Sequence, residues 1–407
     1  MNKLDKIFDS FVENNLFKNK NVLQSNYTPD DILHREQQVK NIASILAPVL
    51  RGERVSNLFL YGNPGTGKTL SIQHVGNKLV SKSRESGEDN LKIVYVNCKI
   101  GKTSETEYRI LARLISELGG SVPSTGLPTG DVYTRFVELI DNKKQVVLII
   151  LDEIDQAVKK ISDNFIYSLT RLNSELKNAQ ISLIGISNSL TFMDNIDPRV
   201  KSSLAEEEIT FSPYNATQLV DILKRRADAA FKENVLEEGV IEKCAAYAAR
   251  EHGDARRALD LLRVAGEISE RENSKKILEI HIDAANEKIE RDKMLDIIEG
   301  EPKQFQLVLY AIMALDENKK KKEGGAESMY TGEVYNKYQE ICNGMKSEVL
   351  TQRRISDILG EFDMLGIINA REISKGRYGR TREIKLMLSG NIKEKAKEIL
   401  NKSLEGA

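Results

Sequence analysis

The sequence predicts an α/β fold with a parallel sheet, followed by a helical domain and a C-terminal winged-helix domain. As far as about Phe211, short β-rich runs alternate with helical patterns, which is typical of a parallel sheet covered on both faces. The β pattern then disappears from about Pro213 to Arg291. From Pro302, three helical patterns precede two short β runs. We therefore place the domains at residues 1–213, 214–300 and 301–407.

Hydrophobic periodicity predicts the individual elements. The five strands of the sheet are expected at Leu58–Tyr61, Ile93–Asn97, Val146–Leu151, Ile181–Ser187 and Ile209–Phe211. The run Val146–Leu151 is apolar throughout, as expected of a central strand. An amphipathic helix is expected near residues 4–12 and a second from about Asp30 to Leu50. The helical domain is expected to contain Ala216–Phe231, Val240–Glu251 and Ala255–Glu270.

The composition limits the possible classes of protein. The 407 residues carry a formal net charge of −1, so any surface for nucleic acid must be local. The three cysteines, Cys98, Cys244 and Cys342, have neither zinc-site spacing nor a disulfide framework, which fits a reducing compartment. No apolar run reaches the length of a membrane span, and acidic residues interrupt the N-terminal apolar positions of any signal peptide. We expect a soluble cytoplasmic protein with no membrane partner.

The strongest motif is a phosphate-binding loop between a predicted strand and a predicted helix. Residues Gly62–Thr69 match G-x-x-x-x-G-K-[ST] in full. Glycines let backbone N–H groups curl around phosphates, and the helix N-terminus adds partial positive charge. Lys68 is expected to reach the β- and γ-phosphates of ATP, and Thr69 to bind Mg²⁺. The nucleotide contacts are expected from Asn63, Pro64, Gly65, Thr66, Gly67, Lys68, Thr69 and Leu70; the alternative is a plain glycine-rich turn.

Two carboxylates follow the apolar strand that ends at Leu151. Ligands bind at the carboxyl ends of strands in open α/β sheets, so Asp152 is expected to hold Mg²⁺ and Glu153 to act as general base. Asp155 is interpreted as a helix-start residue. The next strand ends at Asn188, whose amide could orient the attacking water or contact the γ-phosphate. Alternatively, strands often end in polar residues, and asparagine is common in turns.

Together these residues resemble the AAA+ ATPases, and more narrowly the archaeal ORC/Cdc-type replication initiators. The AAA+ elements occur in order: Gly62–Thr69, Asp152–Glu153, Asn188 and Gly253-Asp254-Ala255-Arg256. The narrower resemblance lies in four short segments. They are His-Arg-Glu from His34, Asn-Leu-Phe-Leu-Tyr-Gly from Asn57, Asp-Pro-Arg-Val-Lys-Ser-Ser-Leu from Asp197 and His-Gly-Asp-Ala-Arg-Arg-Ala-Leu from His252. The resemblance covers nearly the whole chain. It implies an AAA+ P-loop domain with a parallel sheet, a helical lid domain and a C-terminal winged-helix domain.

The resemblance also assigns roles to arginines and to the adenine pocket. Arg256 would be the sensor 2 arginine, reaching from the lid to the phosphates. The alternative is an exposed helix arginine, and Arg257 beside it could equally be the solvated one. Arg199 is the candidate arginine finger, although many AAA+ proteins place that arginine slightly further along, where this chain has Ser202 and Ser203. The stretch around Tyr27 to Arg35 would line the adenine pocket, and the remaining nucleotide contacts would come from Arg35, Tyr214 and Arg226.

Two segments are candidates for DNA binding. The helix expected over Leu350–Gly366 begins with arginines, and recognition helices present their N-terminal residues to the major groove. From Leu350 to Leu388, eight basic side chains stand against five acidic ones, a net charge of +3. The winged-helix candidates are Arg353 and Arg354 on the helix and Lys375, Arg377, Tyr378 and Arg380 on the hairpin; the alternative is a protein-contact domain. In the family, an insertion matching Val122–Tyr133 contacts DNA, which here selects Thr125 and Gly126.

The resemblance implies an ATP-dependent, origin-binding replication initiator, active in the cytoplasm on the nucleoid. It would be a weak ATPase that uses ATP and ADP as a switch and Mg²⁺ as a cofactor. Its partners would be duplex DNA at origins, the replicative MCM-type helicase and possible paralogous initiator subunits. Two alternatives remain: a P-loop signalling or transcription-control ATPase, and a clamp-loader-like subunit. A clamp-loader subunit needs no winged helix, so residues 302–388 disfavour it.

The hairpin arginines yield the first prediction. Replacing Arg377 and Arg380 together with alanine should weaken binding to origin and scrambled duplexes by a similar factor, because phosphate contacts carry no sequence information. The log–log salt dependence of affinity should flatten by about 0.9 per lost phosphate contact. Loss of Gln352 or Arg353 should instead narrow the gap between the two duplexes, by about 1–3 kcal/mol per base contact. Titrations at several salt concentrations measure both effects, and wild-type binding by the double variant would favour the protein-contact alternative.

Overall fold

A computed structural model describes residues 15–24, 27–29, 31–87, 90–99, 106–123, 125–194, 196–204, 206–323, 328–374, 380–388 and 390–405. The chain divides into two compact units, residues 1–283 and 284–407. The helix predicted near residues 4–12 lies outside the described residues. No helix within the described ranges is both long enough and apolar enough to cross a bilayer.

The first unit contains a five-stranded parallel sheet and its covering helices. The strands are β1 (Leu58–Gly62), β2 (Leu91–Asn97), β3 (Val146–Asp152), β4 (Gln180–Ser187) and β5 (Glu207–Phe211). The helices around them are α1 (Glu36–Leu46), α2 (Lys68–Glu85), α3 (Glu107–Glu117), α4 (Thr129–Ile140), α5 (Ile154–Lys160), α6 (Asp163–Arg171) and α7 (Pro198–Leu204). All five predicted strands are confirmed. The second predicted helix is shorter than expected, because α1 begins only at Glu36 and a 3₁₀ turn, Ala47–Arg51, follows it.

The strand order is β2-β3-β4-β1-β5 and every neighbouring pair is parallel. Side chains alternate between the two faces of a strand. Consequently Phe59 packs with the apolar residues of α3 to α6 on one face, whereas Leu58 and Leu60 pack with those of α1 and α2 on the other. Every residue of β3 is buried, as its apolar sequence predicts. The sheet register pairs Asn97 with Asp152, so the carboxyl ends of these strands meet at one edge.

The lid completes the first unit with α8 (Ala216–Ala230), α9 (Val240–Arg250) and α10 (Ala255–Arg271), and α11 (Glu279–Gly300) starts within it. The segment Asn15–Gln24 lies against these lid helices. Its backbone donates from Lys18 N to Ala230 O at 2.7 Å and from Leu16 N to Glu270 Oε1 at 2.9 Å. Gly266 is required here, because a Cβ would lie 2.5 Å from the Phe17 ring. The N-terminal segment is therefore part of the lid's packing.

The second unit is a winged helix. It contains α12 (Lys303–Glu323), α13 (Thr331–Gly344), α14 (Gln352–Met364) and α15 (Gly390–Glu405), and a three-stranded sheet in the order β6-β8-β7, with β6 (Met329–Tyr330), β7 (Ile368–Ser374) and β8 (Arg380–Leu386). The predicted apolar face of α14, including Ile355 and Phe362, is buried. Strand β6 and helix α15 were not expected. β6 is two residues long, too short to show a period.

Asn57 generates a stability prediction, because it is buried just before β1. Its Nδ2 donates to Ser203 O at 2.6 Å, and its Oδ1 accepts from Leu183 N at 2.8 Å. Asn57→Ala would leave the Ser203 carbonyl and the Leu183 amide without this hydrogen-bond partner. We expect the free energy of unfolding to fall by about 2–4 kcal/mol, because a buried unsatisfied polar group costs about 1–3 kcal/mol.

Urea denaturation followed by circular dichroism measures the change. The matched control is Asn41→Ala, because Asn41 is exposed and its Oδ1 accepts from Gln37 on its own helix. The control should change the free energy of unfolding by less than about 0.5 kcal/mol. Equal effects of the two substitutions would contradict the structural role of Asn57.

Candidate nucleotide site and DNA-binding surfaces

The loop between β1 and α2 wraps around the N-terminus of α2, as its motif predicts. Gly65 and Gly67 both have positive φ, 68° and 92°. Lid residues approach both positions closely: a Cβ on Gly65 would lie 1.6 Å from Asp254 Oδ1, and one on Gly67 would lie 2.9 Å from the Tyr214 hydroxyl. Glycine at these two positions therefore permits both the positive φ of the loop and the close approach of lid side chains.

Lys68 lies almost fully inside the loop. Its ammonium donates to Gly62 O and Asn63 O at 2.8 Å each and to Asn188 Oδ1 at 2.9 Å. Burial lowers the pKa of Lys68 to about 8, although the nearby Asp152 carboxylate acts in the opposite direction. The structure thus brings together Lys68, the first residue of α2, and Asn188, which follows β4. Added phosphate charge would favour the charged form of this lysine.

The two residues predicted to hold Mg²⁺ are in direct contact. Thr69 Oγ1 donates to Asp152 Oδ2 at 2.7 Å, and Glu153 N donates to Asp152 Oδ1 at 2.9 Å. Mg²⁺ takes oxygen ligands and is usually held by one or two carboxylates together with substrate phosphates, so these residues fit it. No group of three or more His, Cys, Asp or Glu among the described residues could hold a metal alone. Phosphate oxygens and water would complete the coordination, because Mg²⁺ usually keeps several waters.

Glu153 connects β3 to α5 in the left-handed conformation, with φ of 55°. Its carboxylate lies 3.6 Å from the Lys99 ammonium. Asp155 lies in the first turn of α5, as predicted, where its Oδ1 accepts from Ser187 Oγ at 3.0 Å. Asp155 therefore fixes the end of β4, and Glu153 is the carboxylate that lines the cavity beside Asp152.

A cavity of about 460 Å³ lies between the P-loop and the lid. This volume is within the range of small-molecule sites. The P-loop residues from Gly65 to Leu70 line one part of it together with Asp152, Glu153 and Asn188. Apolar side chains line another part: Val22, Ile32, Leu33, Ile222 and Leu259. The arrangement suits a ligand with one anionic end and one flat apolar end, such as a nucleotide.

Arg35 is not among the described residues that line this cavity, and its predicted nucleotide contact stays a prediction. Its guanidinium donates to Thr66 O at 2.8 Å, to Ser212 O at 2.5 Å and to His34 O at 3.1 Å. The guanidinium carbon also lies 3.8 Å from the centroid of the Tyr214 ring. With its donors bound to backbone carbonyls, Arg35 supports the loop from outside.

Tyr214 and Arg226 do line the cavity. Arg226 is buried on α8 and donates to Val22 O at 3.1 Å and to Tyr27 O at 3.3 Å. Its guanidinium carbon lies 4.6 Å from the centre of the Tyr27 ring. Arg226 therefore shapes the apolar part of the cavity by holding the N-terminal segment in place.

The structure separates the two adjacent arginines of α10. Arg256 is exposed and lines the cavity, whereas Arg257 is bound to Glu251 at 3.0 Å with only 10% of its side chain exposed. Arg256 is thus the arginine of the pair that lines the cavity, and its role as sensor 2 stays a prediction.

Arg199 is outside the described cavity lining. It lies on α7, 70% exposed and bound to Asp197 at 2.8 Å. Its role as an arginine finger stays a prediction.

Two candidate DNA-binding surfaces are exposed. Thr125 and Gly126 lie in the loop between α3 and α4, and Arg353 and Arg354 lie in the first turn of α14. Arg354 Nη1 is 3.9 Å from the Glu361 carboxylate on its own helix. Arg353 is therefore the better placed of the two to extend from the helix towards DNA. Lys375, Arg377 and Tyr378 lie outside the described residues, as does the side chain of Arg380, whose backbone begins β8.

Sequence analysis missed two residues beside the acidic pair. Tyr95 donates from its hydroxyl to Asp152 Oδ2 at 2.7 Å, and Lys99 is the partner of Glu153. The sequence indicated these two residues only by their position, because both lie near the end of β2, the strand next to β3 in the sheet.

Comparison with known protein families matches three successive parts of the chain. Residues 52–193 match the AAA domain, residues 220–287 the Cdc6 AAA+ ATPase-type lid domain, and residues 296–396 the CDC6 C-terminal winged-helix domain. These matches agree with the sheet, the lid and the winged helix described above.

Relatives match over nearly the full chain. An ORC1-type DNA replication protein of Pyrococcus abyssi is 52% identical over 94% of this chain and 90% of that protein. ORC1-type DNA replication protein 1 of Methanosarcina mazei is 49% identical, over 94% and 91%. The solved structure of Aeropyrum pernix ORC1 in complex with DNA has a TM-score of 0.82 and 42% identity, over 95% and 97%. The chain therefore belongs to the family of archaeal ORC1-type DNA replication proteins, AAA+ ATPases with a Cdc6-type lid and a C-terminal winged helix.

Proposed function

We propose that this protein is an ATP-dependent replication initiator that binds duplex DNA at origins and recruits or loads the replicative MCM-type helicase. The observation that carries the proposal is one chain in which a nucleotide cavity is shared by the P-loop core and the lid, followed by a winged helix. The Aeropyrum pernix ORC1 relative, whose structure is described in complex with DNA, supports it. We expect the protein to act on the nucleoid, together with paralogous initiator subunits.

The phosphates of ATP would lie on the backbone of Gly65–Thr69 at the N-terminus of α2. The Lys68 ammonium would exchange the carbonyls of Gly62 and Asn63 for phosphate oxygens. Thr69 and Asp152 would hold Mg²⁺, which supplies charge neutralisation at the phosphates. Glu153 would accept a proton from water as the water attacks the γ-phosphorus, and ADP and inorganic phosphate would leave.

We propose that this hydrolysis is slow. The Glu153 carboxylate lies 3.6 Å from the Lys99 ammonium, a contact that competes with the attacking water for the carboxylate oxygens. Arg199, the candidate finger, is bound to Asp197 and requires a second protomer. A slow ATPase suits a switch, because each nucleotide state persists long enough to act.

The lid would transmit the nucleotide state. Arg256 and Leu259 of α10 and Arg226 of α8 line the same cavity as Lys68. A γ-phosphate would attract Arg256 towards the P-loop, and its loss would release the lid, so ATP and ADP would favour different lid positions.

DNA would be bound by the first turn of α14, the hairpin between β7 and β8, and the loop at Thr125 and Gly126. The exposed Arg353 is suited to base edges in a major groove. Gly126, with φ of 105° and open space at its Cβ position, permits close approach of its backbone to a phosphate.

The substitution Glu153→Gln tests the hydrolysis step. It should keep ATP binding and lower turnover by about 100-fold or more, because general-base catalysis contributes about 10²–10⁴-fold. Lys68→Ala should instead weaken nucleotide binding itself. Single-turnover hydrolysis and equilibrium titration with ATP measure the two effects, and wild-type turnover by Glu153→Gln would show that another group is the base.

Genome-wide binding in the source organism tests the biological function. An initiator should occupy clustered repeats in one or a few intergenic regions, and the Arg353→Ala variant should lose this selectivity. Occupancy spread over many promoters, with transcript changes when the protein is depleted, would favour the transcription-control alternative.

A further inference from the structure

We propose that Tyr95 is a positioning residue for the magnesium carboxylate: its hydroxyl holds Asp152 in the orientation that Mg²⁺–nucleotide binding requires. The inference rests on the proposed binding of Mg²⁺–nucleotide at this site. It concerns a residue on β2, outside the P-loop, the acidic pair and the sensor positions that the sequence motifs mark.

The contacts of Asp152 show how the carboxylate is fixed. Oδ2 accepts from the Tyr95 hydroxyl and from Thr69 Oγ1, each at 2.7 Å. Oδ1 accepts from Glu153 N at 2.9 Å. Three donors, one on β2, one on α2 and one in the connection from β3 to α5, therefore fix both oxygens of one buried carboxylate, and rotation of the carboxyl group would break all three bonds.

The sheet register explains why a tyrosine performs this task. Tyr95 is paired with Ile150, two residues before Asp152 on the neighbouring strand. Two residues of a strand span about 6.5 Å, which a phenol side chain bridges and a shorter polar side chain does not. The phenol hydroxyl donates and the carboxylate oxygen accepts, so Tyr95 is the donor of this hydrogen bond.

This geometry leaves Thr69 suitable as a metal ligand. The hydroxyl proton of Thr69 points at Asp152, so the lone pairs of its oxygen remain for a cation. Without the Tyr95 hydroxyl, Asp152 Oδ2 keeps Thr69 as its only described side-chain donor, and the carboxylate gains freedom to turn. Partners that orient metal ligands contribute about 10–100-fold to metal affinity or activity.

The test compares ADP affinity with and without Mg²⁺ in wild type and in Tyr95→Phe, by isothermal titration calorimetry of the full chain. In wild type, Mg²⁺ should tighten ADP binding. In Tyr95→Phe this tightening should shrink by about 10-fold, whereas the affinity for ADP in EDTA stays close to wild type. Phenylalanine keeps the ring and its packing, so the thermal midpoint without nucleotide should change little.

Tyr133→Phe is the matched control. Tyr133 lies on α4, outside the described cavity lining, and its hydroxyl is hydrogen-bonded to the Glu175 carboxylate. This variant loses the same kind of hydrogen bond but should keep the full Mg²⁺ effect on ADP affinity.

Three results would overturn the inference. The first is an unchanged Mg²⁺ effect in Tyr95→Phe. The second is an equal loss of ADP affinity with and without Mg²⁺, which would make Tyr95 a wall of the nucleotide pocket instead. The third is an ADP affinity of the wild-type protein that is the same with and without Mg²⁺. Only this third result would also overturn the proposed binding of Mg²⁺–nucleotide.

Discussion

The nucleotide site depends on one buried guanidinium, that of Arg35. It binds the carbonyl of Thr66 in the P-loop and that of Ser212 in the connection to the lid, and it stacks on Tyr214. Burial lowers the pKa of Arg35, as expected for a charge removed from water, and the carbonyl partners offset the lost hydration. A single side chain thus fixes the P-loop and the start of the lid relative to the sheet. Such a group is costly to truncate, because its partners would remain buried without a donor.

The cavity joins parts of the chain that belong to different packing units of the ATPase region. The phosphate end is made by the sheet and α2, whereas the apolar end is held to the lid. Arg226 of α8 binds the carbonyls of Val22 and Tyr27, and Arg225 binds Asp31 at 2.7 Å. The wall that would contact the base is therefore attached to the lid, and the wall that would contact the phosphates is attached to the sheet. A bound nucleotide would link the two, which is the physical basis of the proposed switch.

Two kinds of charge are buried around the phosphate end. Lys68 is surrounded by carbonyl and amide oxygens, and Asp152 by hydroxyl and amide donors. Each charge is satisfied separately within the protein. Ligand binding would therefore exchange hydrogen bonds rather than create them from unpaired groups, so the net affinity would depend on how well the site is already arranged.

The sequence by itself determined the secondary-structure elements and the order of the nucleotide-binding motifs along the chain. Period-2 and period-3.6 patterns are local, so the five strands, the apolar face of α14 and the P-loop followed from neighbouring residues alone. The convergence of Asp152 and Asn188 also followed, because parallel strands end at one edge. The tertiary structure decided which side chains meet: Arg35 with the P-loop, Arg256 rather than Arg257 at the cavity, Tyr95 with Asp152, and residues 15–24 with the lid. These contacts join residues far apart in the chain, and only the packing of the elements sets their distances and burial.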